Sequence, residues 1–481
     1  MAQRSTLQNA AFSLAGQVAA RLLALALYAV LARHLGPGLY GDMGLGTAFG
    51  VLFAVLVEPG LNPLLIRDGA RDATTLTTRA SETLGYKLAS LVVVWPAMVS
   101  AAALLGYRGT TLWAVVFSGG TLLLVAFEDF GAAVLTSRER MDLEGTLRAT
   151  SKLLFSVAGL GAVALHASFE VLLAALTEAQ AVTALVMVVL VRRAGVPVGV
   201  RFAPAKAVQQ VSQAWPLAVS GVLWLITLRL DQVLASQMGV SRADLGAYAA
   251  SVKLVEAMIL FPTALVLTFS PLLARAYVDG PERCSQELRV GLETVLAACV
   301  PVAFGGALLA EPIATAIYGD RFAGTGALLA VQLLGLPLVG IQFLAQYALV
   351  AAHSLRAQTV VVGVNLAVNV VANLMLVPRL GIEGAAYAAL LGGAAASIAC
   401  AVALARVQLH LSWLAASWRP LLCGAAMSAA VWALRERMPF WASIGAGAVV
   451  YAAVFYALGG TRLVTALRMR RERRLEPAVE I

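Results

Sequence analysis

Arg229 and Asp231 stand two residues apart in "LRLDQVLASQMG", a stretch otherwise apolar enough for lipid. A charge at the centre of a bilayer costs about 2.5–3.5 kcal/mol on insertion scales, so each residue needs a water-filled cavity or an opposite charge. On one continuous helix the two side chains would point about 200° apart and could not pair with each other. Lys253 and Glu256, three apart on one face of the next apolar segment, offer either a Lys253–Asp231 or an Arg229–Glu256 bridge. Asp231 then either pins the hairpin or, with Glu256, takes part in ion coupling. Arg229 is the candidate anion contact, because a guanidinium presents parallel N–H donors to a phosphate.

A second cation closes a polar stripe near the amino terminus. Asn9, Ser13, Gln17 and Arg21 recur every four residues and share one helical face. A polar helix seam would not need a guanidinium, so this face is expected to line a cavity, with Gln17 and Arg21 as ligand contacts. Asn365, Asn369 and Asn373 form another stripe at spacing four, and Gln332, Gln342 and Gln346 mark the preceding segment. Asn365 and Asn369 are expected to bond either ligand hydroxyls or amides of neighbouring helices. Among the acids, Glu128 and Asp129 lie deep in an apolar run and Glu178 lies in another, which makes all three candidates for a proton or sodium site. Glu58, beside Pro59, reads as a solvated helix end.

The elements that must hold these residues are membrane helices. The chain of 481 residues is 60% hydrophobic and only 13% charged, against roughly half and a quarter in soluble domains. Its apolar residues come in runs of about 20, long enough to cross a hydrocarbon core. The expectation is an all-α polytopic membrane protein with about fourteen spans, and no loop is long enough for a further globular domain. The first run is too long for a cleavable signal and carries Arg21. Cys284, Cys299, Cys400 and Cys423 have no pairing pattern and read as small apolar fillers. No metal or cofactor constellation, catalytic nucleophile–base pair or Walker motif is read.

The net charge of +9 does not point to nucleic acid, because most of the 35 Lys and Arg fall on alternate loops. By the positive-inside rule this puts both termini in the cytoplasm. The basic tail "LRMRRERRLEP" reads as an anchor on acidic lipid head groups.

The chain also repeats itself. "LARHLGPGLYGDMGL" from Leu31 and "NPLLIRDGARD" from Asn62 match "LASQMGVSRADLGAYAA" from Leu234 and "SPLLARAYVDG" from Ser270. Gly36 matches Gly239, Gly41 matches Gly246, and Pro63 matches Pro271. Six spans separate the copies, so the repeat is parallel, with its axis along the membrane normal.

"LGPGLYG", "RLDQVLASQMG", "IYGDRFAG" and "NLMLVPRLGIEGAAYA", in this order, resemble the polysaccharide-export flippases. That family includes O-antigen and lipid-linked oligosaccharide translocases, within the superfamily of multidrug and oligosaccharide exporters. The resemblance covers nearly the whole chain. It implies two six-helix lobes in parallel pseudo-two-fold repeat, expected at 1–205 and 206–408, two additional helices at 409–460, and a basic cytoplasmic tail at 461–481. It also implies alternating access for a lipid-diphosphate-linked sugar in a bacterial cytoplasmic membrane, with polysaccharide-assembly machinery as a partner. Arg21 and Arg229 would then meet the diphosphate from the two lobes, Gln17 and Lys253 would be further substrate contacts, and Asn365 and Asn369 could bond sugar hydroxyls. Pro59, Pro96, Pro262, Pro271, Pro301 and Pro337 would supply kinks for a rocking carrier. A cation-coupled drug antiporter would carry deep acids and few cavity arginines, whereas both signs occur here. A peptidoglycan-precursor flippase stays open. A membrane polymerase or ligase would need a long outer catalytic loop, and the longest here, around "EPIATAIYGDRFAGT", is short.

Overall fold

The computed structural model describes the backbone of residues 6–71 and 73–460, and their side chains except at 6–22, 70–71, 73–74, 207, 213–218 and 460. Gln17 and Arg21, with Asn9 and Ser13, therefore lie outside the described side chains, and the basic tail lies outside the described residues. No strand occurs among the described residues.

The helices are α1 (Thr6–Val57), α2 (Leu61–Arg71), α3 (Ala73–Leu104), α4 (Thr110–Ala114), α5 (Gly120–Ser137), α6 (Met141–Ala164) and α7 (Phe169–Arg193). They continue with α8 (Pro204–Thr227), α9 (Leu230–Gln237), α10 (Arg242–Met258), α11 (Leu260–Asp279), α12 (Pro281–Leu308) and α13 (Ala310–Tyr318). The last are α14 (Thr325–Leu334), α15 (Leu336–Ala351), α16 (Leu355–Leu380), α17 (Ile382–Arg406), α18 (Trp413–Leu434) and α19 (Phe440–Phe455). A π-helical turn at Val115–Gly119 joins α4 to α5.

Twelve of the described helices are long and apolar enough to cross a membrane, and a bent pair raises this to thirteen. The first of the twelve, Leu23–Val57 in α1, is 35 residues long and covers parts of the expected spans 9–32 and 40–65. Gly36 breaks α1 with φ 74°, a conformation that only glycine adopts without strain. With that break and a bent pair, the described helices come near the expected count of about fourteen spans. The bent pair is the predicted seventh segment, which is not the continuous helix the sequence suggested. It turns by 42° between Val219–Thr227 and Leu230–Gln237. Of the predicted kink prolines, Pro96, Pro271 and Pro301 sit inside helices. Pro59, Pro262 and Pro337 stand at or just after breaks between helices.

The chain forms two compact units. The first comprises Met1–Lys253, Ile317–Gly324 and Leu366–Ala388. Its apolar cores run through Leu65, Phe127, Phe130 and Leu147 in one cluster, and through Phe49, Met98, Val115 and Leu123 in another. The second comprises Leu254–Ala316, Thr325–Asn365 and Ala389–Ile481. A large cluster there packs α11, α12, α15, α17 and α18 through residues such as Phe269, Leu292, Leu344, Cys400 and Met427. All four cysteines are free and buried there.

Candidate functional site

Within the first unit, the break between α8 and α9 sets the position of Arg229. The residue has left the helical region, at φ −133° and ψ −18°, and serves as the N-cap of α9. Asp231 then occupies the first turn of α9, where the exposed amides and the helix dipole favour a negative charge. Its carboxylate accepts from the backbone N–H of Gln232 at 2.8 Å and from the hydroxyl of Tyr248 on α10. Because the helix is broken, the two charges are not related by a single helical wheel.

Arg229 and Lys253 come together at one small cavity. Its walls are Tyr28, Tyr40, Met43, Gly44 and Thr47 from α1, Gln232 from α9, and Ala249 from α10. Arg229 is buried, only 8% exposed. The Lys253 ammonium lies 4.9 Å from the centroid of the Tyr28 ring. Two cations, three hydroxyls and an amide around one space suit a phosphate-type anion. The cavity measures about 10 Å³ in this state, room for a single water. Gln232 and Tyr28 escaped the sequence reading, although Gln232 follows Asp231 directly.

The flanking motifs are brought together as well. The segment Ile317–Gly324 belongs to the first unit, where it packs on α1. Tyr40 of "LGPGLYG" meets Phe322 of "IYGDRFAG" edge-on at 5.7 Å, and Arg33 Nε donates to the carbonyl of Ile317 at 2.9 Å. The Tyr318 hydroxyl donates to the carbonyl of Ala250 on α10 at 3.0 Å.

Beside them, α1 and α10 cross through the matched glycines of the repeat. A methyl group added at Gly41 would meet the Arg242 carbonyl and the Gly246 amide nitrogen. One added at Gly246 would meet the Pro37 carbonyl and the Gly41 amide nitrogen. Arg242 also reaches Asp42 at 3.5 Å, and Asp42 accepts from Thr110 and Thr111 at 2.6 Å each.

The predicted coupling acids separate. Glu128 is buried on α5 and accepts from Ser151 at 2.6 Å, Gln180 at 3.1 Å and Arg148 at 3.3 Å. Asp129 accepts from the same Arg148 at 2.8 Å, and Arg148 Nε donates to Glu144 at 3.1 Å. Glu178 is exposed on α7, outside this cluster. Glu256 is half-buried on α10. Arg148 was not legible as a partner, because it lies 20 residues from Glu128 on another helix.

Glu58 is not the solvated helix end expected from sequence. Its carboxylate accepts from the backbone N–H of Asn62 at 2.7 Å and pairs with Lys87, whose side chain is fully buried. The Lys87 ammonium also donates to the carbonyl of Ala126 at 3.1 Å. A buried lysine must be paired and hydrogen-bonded in this way to stay charged.

The asparagine stripe is buried and bonded to protein. Asn373 donates to the carbonyl and side-chain oxygens of Asn369 at 2.9 and 3.1 Å. In the second unit Asn365 donates to Gln342 at 3.3 Å, and Gln342 donates to the carbonyl of Gly393 at 3.1 Å. In this state Asn365 and Gln342 tie α15, α16 and α17 together.

Residues 6–277 match the family described as "Polysaccharide biosynthesis protein". No curated protein matches the sequence. The fold is similar to the solved structure of lipid II flippase MurJ in an inward closed conformation, at 13% identity and a TM-score of 0.71, covering 92% of this chain and 98% of that one. It is also similar to an inward-facing multidrug resistance MATE family transporter of the MOP superfamily, at 14% identity and a TM-score of 0.62, covering 81% and 94%. A MOP superfamily transporter from Pyrococcus furiosus aligns at 15% identity and a TM-score of 0.52, covering 82% and 93%. These likenesses establish an all-helical transporter fold of the MurJ and MATE kind.

Proposed function

Because the chain belongs to the polysaccharide biosynthesis protein family, we propose that it is a flippase that moves a lipid-diphosphate-linked oligosaccharide across a bacterial cytoplasmic membrane by alternating access. The observation that carries this reading is the pairing of Arg229 and Lys253 at one cavity. The diphosphate is the one part of such a cargo with full charge, and it needs cations at membrane depth. Arg229 offers a bidentate fork and Lys253 a compact point charge. Arg21, on the lead helix of the first repeat, joins them in this proposal.

A cavity with room for one water cannot hold a diphosphate. The carrier therefore has a second state in which α1, the α8–α9 break and α10 draw apart around Arg229 and Lys253. Binding then needs both the charges and that opening, and release follows when the cavity closes again. Glu128 is the coupling candidate, since protonation or a bound cation would change its hold on Arg148, Ser151 and Gln180. Both termini are cytoplasmic in this proposal, with the lobes divided near residue 205.

The test is glycan export in cells carrying Arg229→Ala or Arg21→Ala, with the amount of inserted protein measured in parallel. Export is expected to stop at normal protein level, and Arg229→Lys to restore it in part. Normal export by both alanine variants would refute the cationic-cavity mechanism.

A further inference from the structure

A second cavity lies in the first unit, away from Arg229, where α2, α3 and α8 meet. Its volume is about 360 Å³, at the lower end of the roughly 300–1,000 Å³ of small-molecule sites. Each helix gives it one face at helical spacing. From α2 come Leu61, Leu64, Leu65 and Asp68, and from α3 come Thr75, Thr78, Arg79, Glu82 and Thr83. The N-terminal turns of α8 add Lys206, Gln209 and Gln210.

The charges in this wall cancel. Asp68 pairs with Arg79, and also with Arg67 at 2.9 Å. Glu82, only 6% exposed, accepts from Lys206 at 2.8 Å and from Gln210 at 3.2 Å. Two carboxylates face two cations among the lining residues, so the cavity has no excess of one sign to draw in an ion. What remains is a dense set of hydroxyl and amide groups that both donate and accept, opposite a strip of three leucines. That combination matches a pyranose ring, whose hydroxyls point outward and whose C–H faces are apolar. A free anion would meet Asp68 and Glu82 as repulsive neighbours.

We propose that this cavity docks an uncharged sugar unit of the cargo, at a place separate from the diphosphate contact. The inference rests on the export reading and extends it: the cargo is gripped at two places, by charge at Arg229 and Lys253 and by hydrogen bonds here. Weak, neutral contacts of this type suit a carrier that must let go.

The test uses the purified full chain with Thr78→Cys as a reporter for maleimide labelling. The four native cysteines are buried and set a low background. The probes are maltose, N,N′-diacetylchitobiose and inorganic pyrophosphate. At about ten times its Kd, a bound sugar slows labelling about tenfold, and Gln210→Leu in the same background removes that protection. If Thr78→Cys does not insert, Gln209→Cys replaces it as reporter. Protection by at least one sugar and not by pyrophosphate supports the inference. Protection by neither, or by pyrophosphate as strongly as by sugar, overturns it. Binding of a sugar-free polyprenyl diphosphate is measured alongside. If that lipid binds and no sugar protects, this inference fails alone; if sugar protects and the lipid does not bind, the export reading fails and the cavity remains a sugar site without that cargo.

Discussion

The ammonium of Lys253 lies 4.9 Å from the centre of the Tyr28 ring, so an aromatic face holds one of the two cations of the candidate site. A cation over a ring is worth about 0.5–1 kcal/mol at exposed sites and about 2 when desolvated. Tyr28→Phe keeps the ring and is expected to bind a polyprenyl diphosphate like the parent. Tyr28→Leu is expected to bind it about two- to thirtyfold more weakly. If the ring acts through the ammonium, adding Tyr28→Leu to Lys253→Met costs nothing further. Titration of the lipid into purified protein reads all four variants.

In the proposed site Arg229 would hold the diphosphate through charge-assisted hydrogen bonds, worth roughly 1.5–3 kcal/mol each. Arg229→Ala is expected to weaken diphosphate-lipid binding about ten- to a hundredfold. Arg229→Lys recovers only part, since Lys lacks the fork. Equal affinities for the alanine variant and the parent would remove Arg229 from the site.

Glu128 is the acid expected to respond to an ion gradient. Glu128→Gln should abolish gradient-driven uptake into vesicles while lipid binding survives. Asp129→Asn, half-exposed beside the same Arg148, should have the smaller effect. If uptake by both variants still follows the imposed gradient, coupling lies elsewhere.

Lys87 and Glu58 form a pair whose ammonium has no access to solvent. Removing one member of a buried pair costs about 3–5 kcal/mol, because the other charge is left behind. Lys87→Met is expected to lower the midpoint of thermal unfolding well below that of the parent. The double variant Lys87→Met with Glu58→Gln should recover much of the loss. An unchanged midpoint for Lys87→Met would show that the pair contributes little.

Orientation can be read with reporters. A fusion after Gly195 is expected to report the cytoplasm, and one within Ser241–Asp244 the outside. The reverse result at both sites would overturn the loop-charge argument.

The helices were legible in the sequence because runs of about 20 apolar residues permit little else in a bilayer. The Gly36 break was legible through its glycine. The break at Leu228–Arg229 was not, since neither glycine nor proline marks "ITLRLDQ". The wheel angle between Arg229 and Asp231 assumed one continuous helix and does not apply across this break. The spacing-four asparagines were rightly read as one face, but what that face meets was left open between ligand and neighbouring helix. In this state Asn365 bonds Gln342 and Asn373 bonds Asn369. Periodicity reports direction along one helix and carries no information about the neighbour. Lys87 was missed for the same reason: its partners, Glu58 and Ala126, lie 29 and 39 residues away.

The glycine crossing of α1 and α10 has the reciprocity of a homodimer seam: Gly41 meets the backbone at Arg242, and Gly246, its counterpart in the repeat, meets the backbone at Pro37. When counterparts touch each other, the two-fold axis that relates them passes through the contact. If the repeat descends from a duplicated gene, this is where two identical ancestral chains once met themselves. A side chain acquired by that ancestor would have appeared twice in the same gap. After fusion each copy could drift, but neither could gain bulk here without displacing the other's main chain. The two positions therefore answer to a single evolutionary constraint, and one can change only as far as the other yields.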